Sequence, residues 1–99
     1  MRFQIEECIV DTKSSTESWS ERRYCDGSNL IGRSSRSQWH DETLYRSRKG
    51  RYYVVTTTRI DKERDRAEWM SPEEATRWLL LNDYDLPTEL QKVAEEVTE

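Results

Sequence analysis

Residues 43–58 constrain the fold more than any other segment, because they have the composition of two β-strands joined by a tight turn. Segments 43–48 and 51–58 are rich in β-branched and aromatic side chains, which favour strands. Lys49 and Gly50 lie between them, and glycine supplies the positive φ that a tight hairpin turn requires. The sequence therefore predicts a central β-hairpin.

A well-defined helix start follows after the hairpin. Ser71, Pro72 and Glu74 occupy the positions of an N-cap, a first helical residue and the carboxylate of a capping box. They predict a helix that runs to about Asn82. After Pro87, apolar residues at helical spacing predict a second helix with one apolar stripe, formed by Leu90, Val93, Ala94 and Val97.

The N-terminal part of the chain is less regular. Alternating apolar residues predict a strand at 3–10. Residues 11–42 are a polar, Ser-rich region that we interpret in one of two ways. Either part of it is a strand, at 18–25 or 29–33, or it is a long loop that its aromatic residues pin to the domain.

Together these elements predict one α+β domain over residues 1–99. Residues 67–70 have the composition of a short return strand, so the strands are grouped before the helices. This order favours a small antiparallel sheet of three to five strands, with the central hairpin 43–58 inside it. We expect the two C-terminal helices to pack on one face of that sheet.

The hydrophobic residues available for a core are few and largely aromatic. Leu, Ile, Val and Phe number 17 of 99 residues, whereas the chain has four Trp and five Tyr. Each buried Trp or Tyr removes roughly 150–250 Å² from water, so a small aromatic core can fold the chain. A domain with so thin a core often gains stability by dimerising, and we therefore expect a homodimer.

Charge is unevenly distributed along the chain. Residues 1–20 carry two bases and four acids, residues 21–66 carry twelve bases and seven acids, and residues 67–99 carry two bases and nine acids. The β half is thus basic and the helical half strongly acidic. This asymmetry favours association, either between copies or with a charged partner.

The central hairpin has a candidate binding face if Lys49 and Gly50 are its two loop residues. Arg46 then lies opposite Tyr53, and alternate side chains share one side of the sheet. This register predicts a basic face formed by Arg46, Arg48, Arg51, Tyr53 and Arg59. Such a face can bind a nucleic-acid backbone while Tyr53 stacks on a base. The opposite side, which carries Tyr45, would lie beneath the helices.

We find no residue pattern of a catalytic, cofactor-binding or metal-binding site. His40 is the only histidine, and no Ser or Cys nucleophile stands at a meaningful spacing, so we expect a surface or loop histidine. Cys8, Cys25 and His40 lack the CxxC or HxxxH spacing of a zinc site. The sequence therefore predicts no enzyme activity, no cofactor and no metal.

The cytoplasm is the expected compartment. No apolar run approaches the ~20 residues that span a bilayer. Charged residues interrupt the apolar positions of the N-terminus, which is unlike a signal peptide. In that compartment Cys8 and Cys25 would be reduced thiols, and no membrane partner is expected.

Two stretches resemble a group of small microbial proteins that are often found among accessory or mobile genes. Residues 42–53 read ETLYRSRKGRYY and are similar to the ETLYR…KGRYF hairpin of that group. Residues 69–78 read WMSPEEATRW and are similar to its LSPEEA…W helix. The two stretches cover about a quarter of the chain. The resemblance implies a hairpin followed by a helix and implies no particular chemistry.

The function we expect first is that of a non-enzymatic binding or regulatory module that recognises a protein, as a homodimer or with another partner. The first alternative is nucleic-acid binding through the basic hairpin face. The second is a small-ligand pocket or enzyme built from the 14–42 loop and its Trp residues.

Overall fold

The computed structural model describes residues 1–99 as an α+β fold, which confirms the predicted fold class. The helices follow the strands in the chain. The strands are β1 Arg2–Ile5, β2 Cys8–Asp11, β3 Glu17–Ser20, β4 Arg23–Asp26, β5 Asn29–Gly32, β6 His40–Arg46, β7 Tyr52–Thr58 and β8 Arg66–Met70; the helices are α1 Pro72–Leu81 and α2 Thr88–Val97.

A four-stranded antiparallel sheet in the order β3-β6-β7-β8 forms the middle layer of the molecule. Both helices pack on one face of it, as the sequence predicts. The β1–β2 hairpin covers the other face, and the β4–β5 hairpin forms a separate two-stranded sheet. Residues 52–56 of β7 are all buried, because both faces of this central strand are covered.

The central hairpin forms, but the predicted two-residue loop is wrong. Arg46 lies opposite Tyr52, and not opposite Tyr53. The loop has three residues, 48–50, and ends at Gly50 with φ +86°, while the Gly50 amide donates to the Ser47 carbonyl at 2.9 Å. A turn followed by a left-handed glycine is the usual geometry of a three-residue hairpin loop. One extra loop residue moves every side chain of one strand to the other face.

The helix-facing side of the sheet is therefore the one that carries Leu44 and Tyr52. These residues pack with Trp78 and Leu79 of α1 and Leu90 of α2 in one hydrophobic cluster. The predicted placement of Tyr45 beneath the helices is wrong for the same reason. The apolar stripe of α2 meets the sheet chiefly through Leu90, its one buried residue.

The opposite side of the sheet carries a second, smaller core. Tyr53 and Val55 pack there with Ile5 and Val10 of the β1–β2 hairpin, and all four are buried. The sequence predicts one strand at 3–10, and this prediction is wrong: Glu6 and Glu7 form a turn, with Glu6 at φ +56°. Ile5 pairs with Cys8, so both halves of the segment can direct apolar residues at the same sheet face.

Residues 11–42 contain strands, the first of the two interpretations offered by the sequence. β3 joins the edge of the central sheet beside β6, whereas β4 and β5 pair with each other. Their turn lies at the 26–29 segment, and Gly27 adopts φ +64° there.

No helix of the protein is both long and apolar enough to cross a membrane.

The start of α1 confirms the predicted capping box. The Ser71 hydroxyl accepts the Glu74 amide at 3.1 Å, and the Glu74 carboxylate accepts the Ser71 amide at 3.0 Å. These two bonds satisfy backbone donors that the first turn of a helix otherwise leaves unpaired. The reciprocal bond from Ser71 also holds the pKa of Glu74 below its ordinary value.

Candidate functional site

The corrected register distributes the five residues of the predicted basic face over different parts of the molecule. Arg46 lies on the helix-facing side of β6, whereas Tyr53 lies on the other side of β7. Tyr53 is fully buried, stacks on Tyr45 at 5.3 Å between ring centroids and bonds the Ser15 hydroxyl at 2.8 Å. It therefore cannot stack on a base, and burial raises the pKa of its phenol.

Two of the five residues are already engaged by acidic side chains. The Arg46 guanidinium binds the Glu89 carboxylate at both oxygens, at 2.6 and 3.1 Å, which joins α2 to the sheet. Arg59 donates to Asp41 at 3.2 Å. Because each guanidinium has a carboxylate partner within the fold, neither is a free cation for a ligand.

The remaining residues, Arg48, Arg51 and Tyr53, lie at one groove of about 780 Å³, together with Lys49. The groove runs between β2 on one side and residues 47–51 on the other, which are the loop of the central hairpin and its two flanking residues. Trp69 of β8 contributes an aromatic surface between them. The volume is within the range of about 300–1,000 Å³ that is typical of small-ligand sites.

Three cations at this groove have no acidic partner. Arg48, Lys49 and Arg51 are exposed, and none belongs to any ion pair of the protein. The Arg51 guanidinium lies over the Trp69 ring, 3.7 Å from its centroid, and this cation–π contact holds it at the groove. The groove therefore presents a cluster of positive charge on a preformed surface.

The only carboxylate at the groove is partly neutralised by its own neighbours. Asp11 Oδ2 lies 3.7 Å from Arg2 Nε, and its Oδ1 accepts the Lys13 amide at 3.0 Å. Its remaining negative charge is outweighed by three unpaired cations. The local field consequently favours an anionic group.

Trp69 carries the one buried side-chain polar atom of the protein that lacks a hydrogen-bond partner, its indole Nε1. Buried indole N–H groups usually have a partner, as the Trp78 indole has in Glu42 at 3.0 Å. No sequence pattern marked Trp69, because its contact with Arg51 depends on the pairing of β7 with β8.

His40 lies in a chain of polar side chains that the sequence did not indicate. Its Nδ1 is 2.8 Å from the Ser37 hydroxyl, and its Nε2 is 2.9 Å from Glu63 Oε1. The three groups are those of a catalytic triad, but the ring nitrogens are interchanged, since a triad places the hydroxyl at Nε2 and the carboxylate at Nδ1. The Ser37 hydroxyl also accepts the Trp39 amide at 3.0 Å, so it fixes the turn that leads into β6. These contacts attach the 37–39 turn to the loop before β8.

The two cysteines are free and exposed on different hairpins. Cys8 lies in β2 and lines the groove, whereas Cys25 lies in β4. No group of three or more His, Cys, Asp or Glu side chains is arranged to hold a metal ion.

Comparison of the chain with protein-family models, with curated proteins and with solved structures finds no match. The geometry and charge of the groove are therefore the features that bear on function.

Proposed function

We propose that this protein is a non-enzymatic binding module that recognises an acidic surface or segment of another protein at the basic groove. The observation that carries the proposal is the set of three unpaired cations, Arg48, Lys49 and Arg51, on one preformed groove. The other two arginines of the predicted face, Arg46 and Arg59, are paired within the fold. The exposed thiols of Cys8 and Cys25 support a reducing compartment such as the cytoplasm.

A protein partner accounts for the site better than a nucleic acid does. Proteins that bind nucleic acid through its backbone depend on Lys and Arg contacts to several phosphates, and their domains are usually basic. This chain has a net charge of −4 and three free cations at the groove. Tyr53, the residue expected to stack on a base, is fully buried.

The test is a binding titration with a fluorescein-labelled oligo-glutamate peptide, and a labelled oligo-thymidine strand serves as comparator. The variant Arg48→Glu/Arg51→Glu removes two groove cations. The control Arg64→Glu/Arg77→Glu makes the same charge change at two exposed residues that do not line the groove. We expect the groove variant to lose at least about tenfold in peptide affinity, as loss of charge-assisted contacts implies. The control variant should stay within about twofold of the parent protein.

Two outcomes would contradict the proposal. Equal loss in both variants would mean that the peptide senses net charge and not the groove. Tighter binding of oligo-thymidine than of the peptide, abolished by the groove variant, would replace the proposal with nucleic-acid binding.

Self-association is a second candidate function, and the charge distribution favours it. The helical half, residues 67–99, carries nine acids and two bases and can meet the groove of a second copy. Two such contacts related by a twofold axis would close a homodimer.

Sedimentation equilibrium of the parent protein and the same two variants, at low and high salt, tests this self-association. A dimer that only the groove variant dissociates would support it, and a monomer throughout would contradict it.

A further inference from the structure

β2 is the outer strand of its hairpin and has one free edge. It pairs only with β1, and β1 is the strand of the hairpin that lies near β8. Along an antiparallel pair, alternate residues direct their amide and carbonyl groups away from the partner strand. The tight turn makes Ile5 and Cys8 a hydrogen-bonded pair that closes the hairpin. At its other end, the Thr12 amide donates to the Met1 carbonyl at 2.9 Å. Every second residue of β2, counted from Cys8, therefore bonds to β1.

This ladder fixes which backbone groups of β2 are free. Ile9 and Asp11 are the residues whose amide and carbonyl groups point away from β1. Neither residue uses its backbone in the turn, loop and cap hydrogen bonds of the chain. Ile9 is also 75% exposed, so the edge has an apolar residue and no charged side chain at its centre. An exposed edge of this kind is a template for another strand.

We propose that an extended, acidic segment of the partner protein adds to β2 as a third strand. The proposal rests on the function proposed above and specifies how the partner binds. The same strand, Cys8–Asp11, forms one wall of the groove, and the three unpaired cations lie across from it. A segment bonded to Ile9 and Asp11 therefore lies along the cationic wall.

Strand geometry gives the partner segment a recognisable pattern. Side chains on one face of a strand recur at every second residue, about 6.8 Å apart. Carboxylates at alternate positions of the segment can therefore meet Arg48, Lys49 and Arg51 in succession. Backbone bonds to β2 supply affinity, and the alternate charged positions supply selectivity, as in other complexes formed by strand addition. A helical acidic segment would present neither feature.

The test uses a fluorescein-labelled peptide of alternating Glu and Val residues and two substitutions at one position. Ile9→Pro removes the free amide at the edge, which the β1–β2 ladder does not use, whereas Ile9→Thr keeps it. We expect Ile9→Pro to weaken binding about tenfold and Ile9→Thr less than about threefold, because each lost backbone bond changes affinity by roughly that amount. The same peptide with N-methylated alternate amides should bind the parent protein more weakly.

Amide hydrogen exchange of the parent protein measures the same contact without substitution. Bound peptide should slow exchange at Ile9 and Asp11, and this result stands even if Ile9→Pro fails to fold. Unchanged exchange there, with peptide affinity still lost in Arg48→Glu/Arg51→Glu, would overturn strand addition and leave groove binding in place. Full affinity in Arg48→Glu/Arg51→Glu would overturn both proposals.

Discussion

Glu21 shows how a single buried carboxylate organises a polar segment of this chain. Its side chain is 1% exposed. Oε2 accepts the amide and hydroxyl of Ser34 at 3.2 and 2.8 Å and the amide of Ser35 at 2.8 Å. Oε1 accepts the Ser35 hydroxyl at 2.9 Å and the Glu42 amide at 3.0 Å. These five bonds attach the serine segment to the start of the central sheet.

Replacement of Glu21 by Gln should destabilise the protein clearly. Both oxygens of Glu21 accept hydrogen bonds from N–H and O–H groups. Whichever way the substituted Gln side chain is turned, its NH2 group therefore replaces one of these acceptors and faces donors. We expect a loss of roughly 1.5–3 kcal/mol in the free energy of unfolding, since hydrogen bonds to a charged group are lost. Urea unfolding at pH 7 measures it, with the exposed Glu17→Gln as control. Equal stability of the two variants would show that Glu21 is not the organising residue.

The sequence does not reveal this cluster, although it does reveal the capping box. Ser71 and Glu74 are three residues apart and form a local pattern. Glu21 and Ser34 are thirteen residues apart, and nothing in their spacing indicates contact. Gly32 is explained only by the structure: a Cβ there would lie 2.4 Å from Glu21 Oε1, so only glycine leaves room for the carboxylate.

Glu89 connects helix α2 to the two strands of the central hairpin. Arg46 donates to both oxygens of Glu89, and the Tyr52 hydroxyl donates to Oε1. The hydrogen bonds from Arg46, and then from Tyr52, hold the pKa of Glu89 below its ordinary value. Burial raises the pKa of the Tyr52 phenol, and its bond to Glu89 raises it further. Around neutral pH, Glu89 is therefore ionised, whereas Tyr52 and Arg46 keep their protons and donate hydrogen bonds to its carboxylate.

This contact should make stability depend on pH in the acid range. A lowered pKa means that Glu89 stabilises the fold above the unfolded pKa of about 4.3, and that this contribution is lost as pH falls through the folded value. We expect Glu89→Gln to be less stable than the parent protein at pH 7 and to match it near pH 2. Thermal unfolding across this range, with exposed Glu95→Gln as control, measures it. A difference that persists unchanged at low pH would contradict the assignment.

The hairpin shows which part of an element the sequence determines. Its existence follows from β-branched and aromatic residues on both sides of Gly50. Its register does not, because a two-residue and a three-residue loop both place this glycine where a positive φ is needed. The choice depends on the β1–β2 hairpin, which buries Tyr53 and Val55 on the second face. The sequence predicts a single strand at 3–10, and therefore does not indicate that a hairpin covers the Tyr53 face of the sheet.

One sheet is shared by two small cores. The helices cover one face and the β1–β2 hairpin the other, so β7 takes part in both. A chain with so few aliphatic residues obtains two cores because aromatic residues fill them: Tyr52 and Trp78 on one side, Tyr53 on the other. Since adjacent β7 residues serve opposite cores, loss of either layer exposes the same strand.

The two cores should therefore unfold in one cooperative transition. Ile5→Ala and Leu79→Ala remove buried side chains from the hairpin core and the helical core, 6% and 0% exposed. Each should lower the free energy of unfolding by about 2–5 kcal/mol, whereas the exposed matches Ile60→Ala and Leu80→Ala should stay within about 0.5 kcal/mol.

Whether the two cores unfold together is measured by comparing the unfolding transitions that two spectroscopic probes report. Far-UV circular dichroism follows the helices and strands, and Trp fluorescence follows side chains on both faces of the sheet. In Ile5→Ala the two signals should shift together, since β7 loses packing on one face and weakens the other through its shared backbone. A separate early fluorescence transition, with helical signal unchanged, would mean that the β1–β2 layer unfolds alone. The groove wall formed by β2 would then open independently of the sheet.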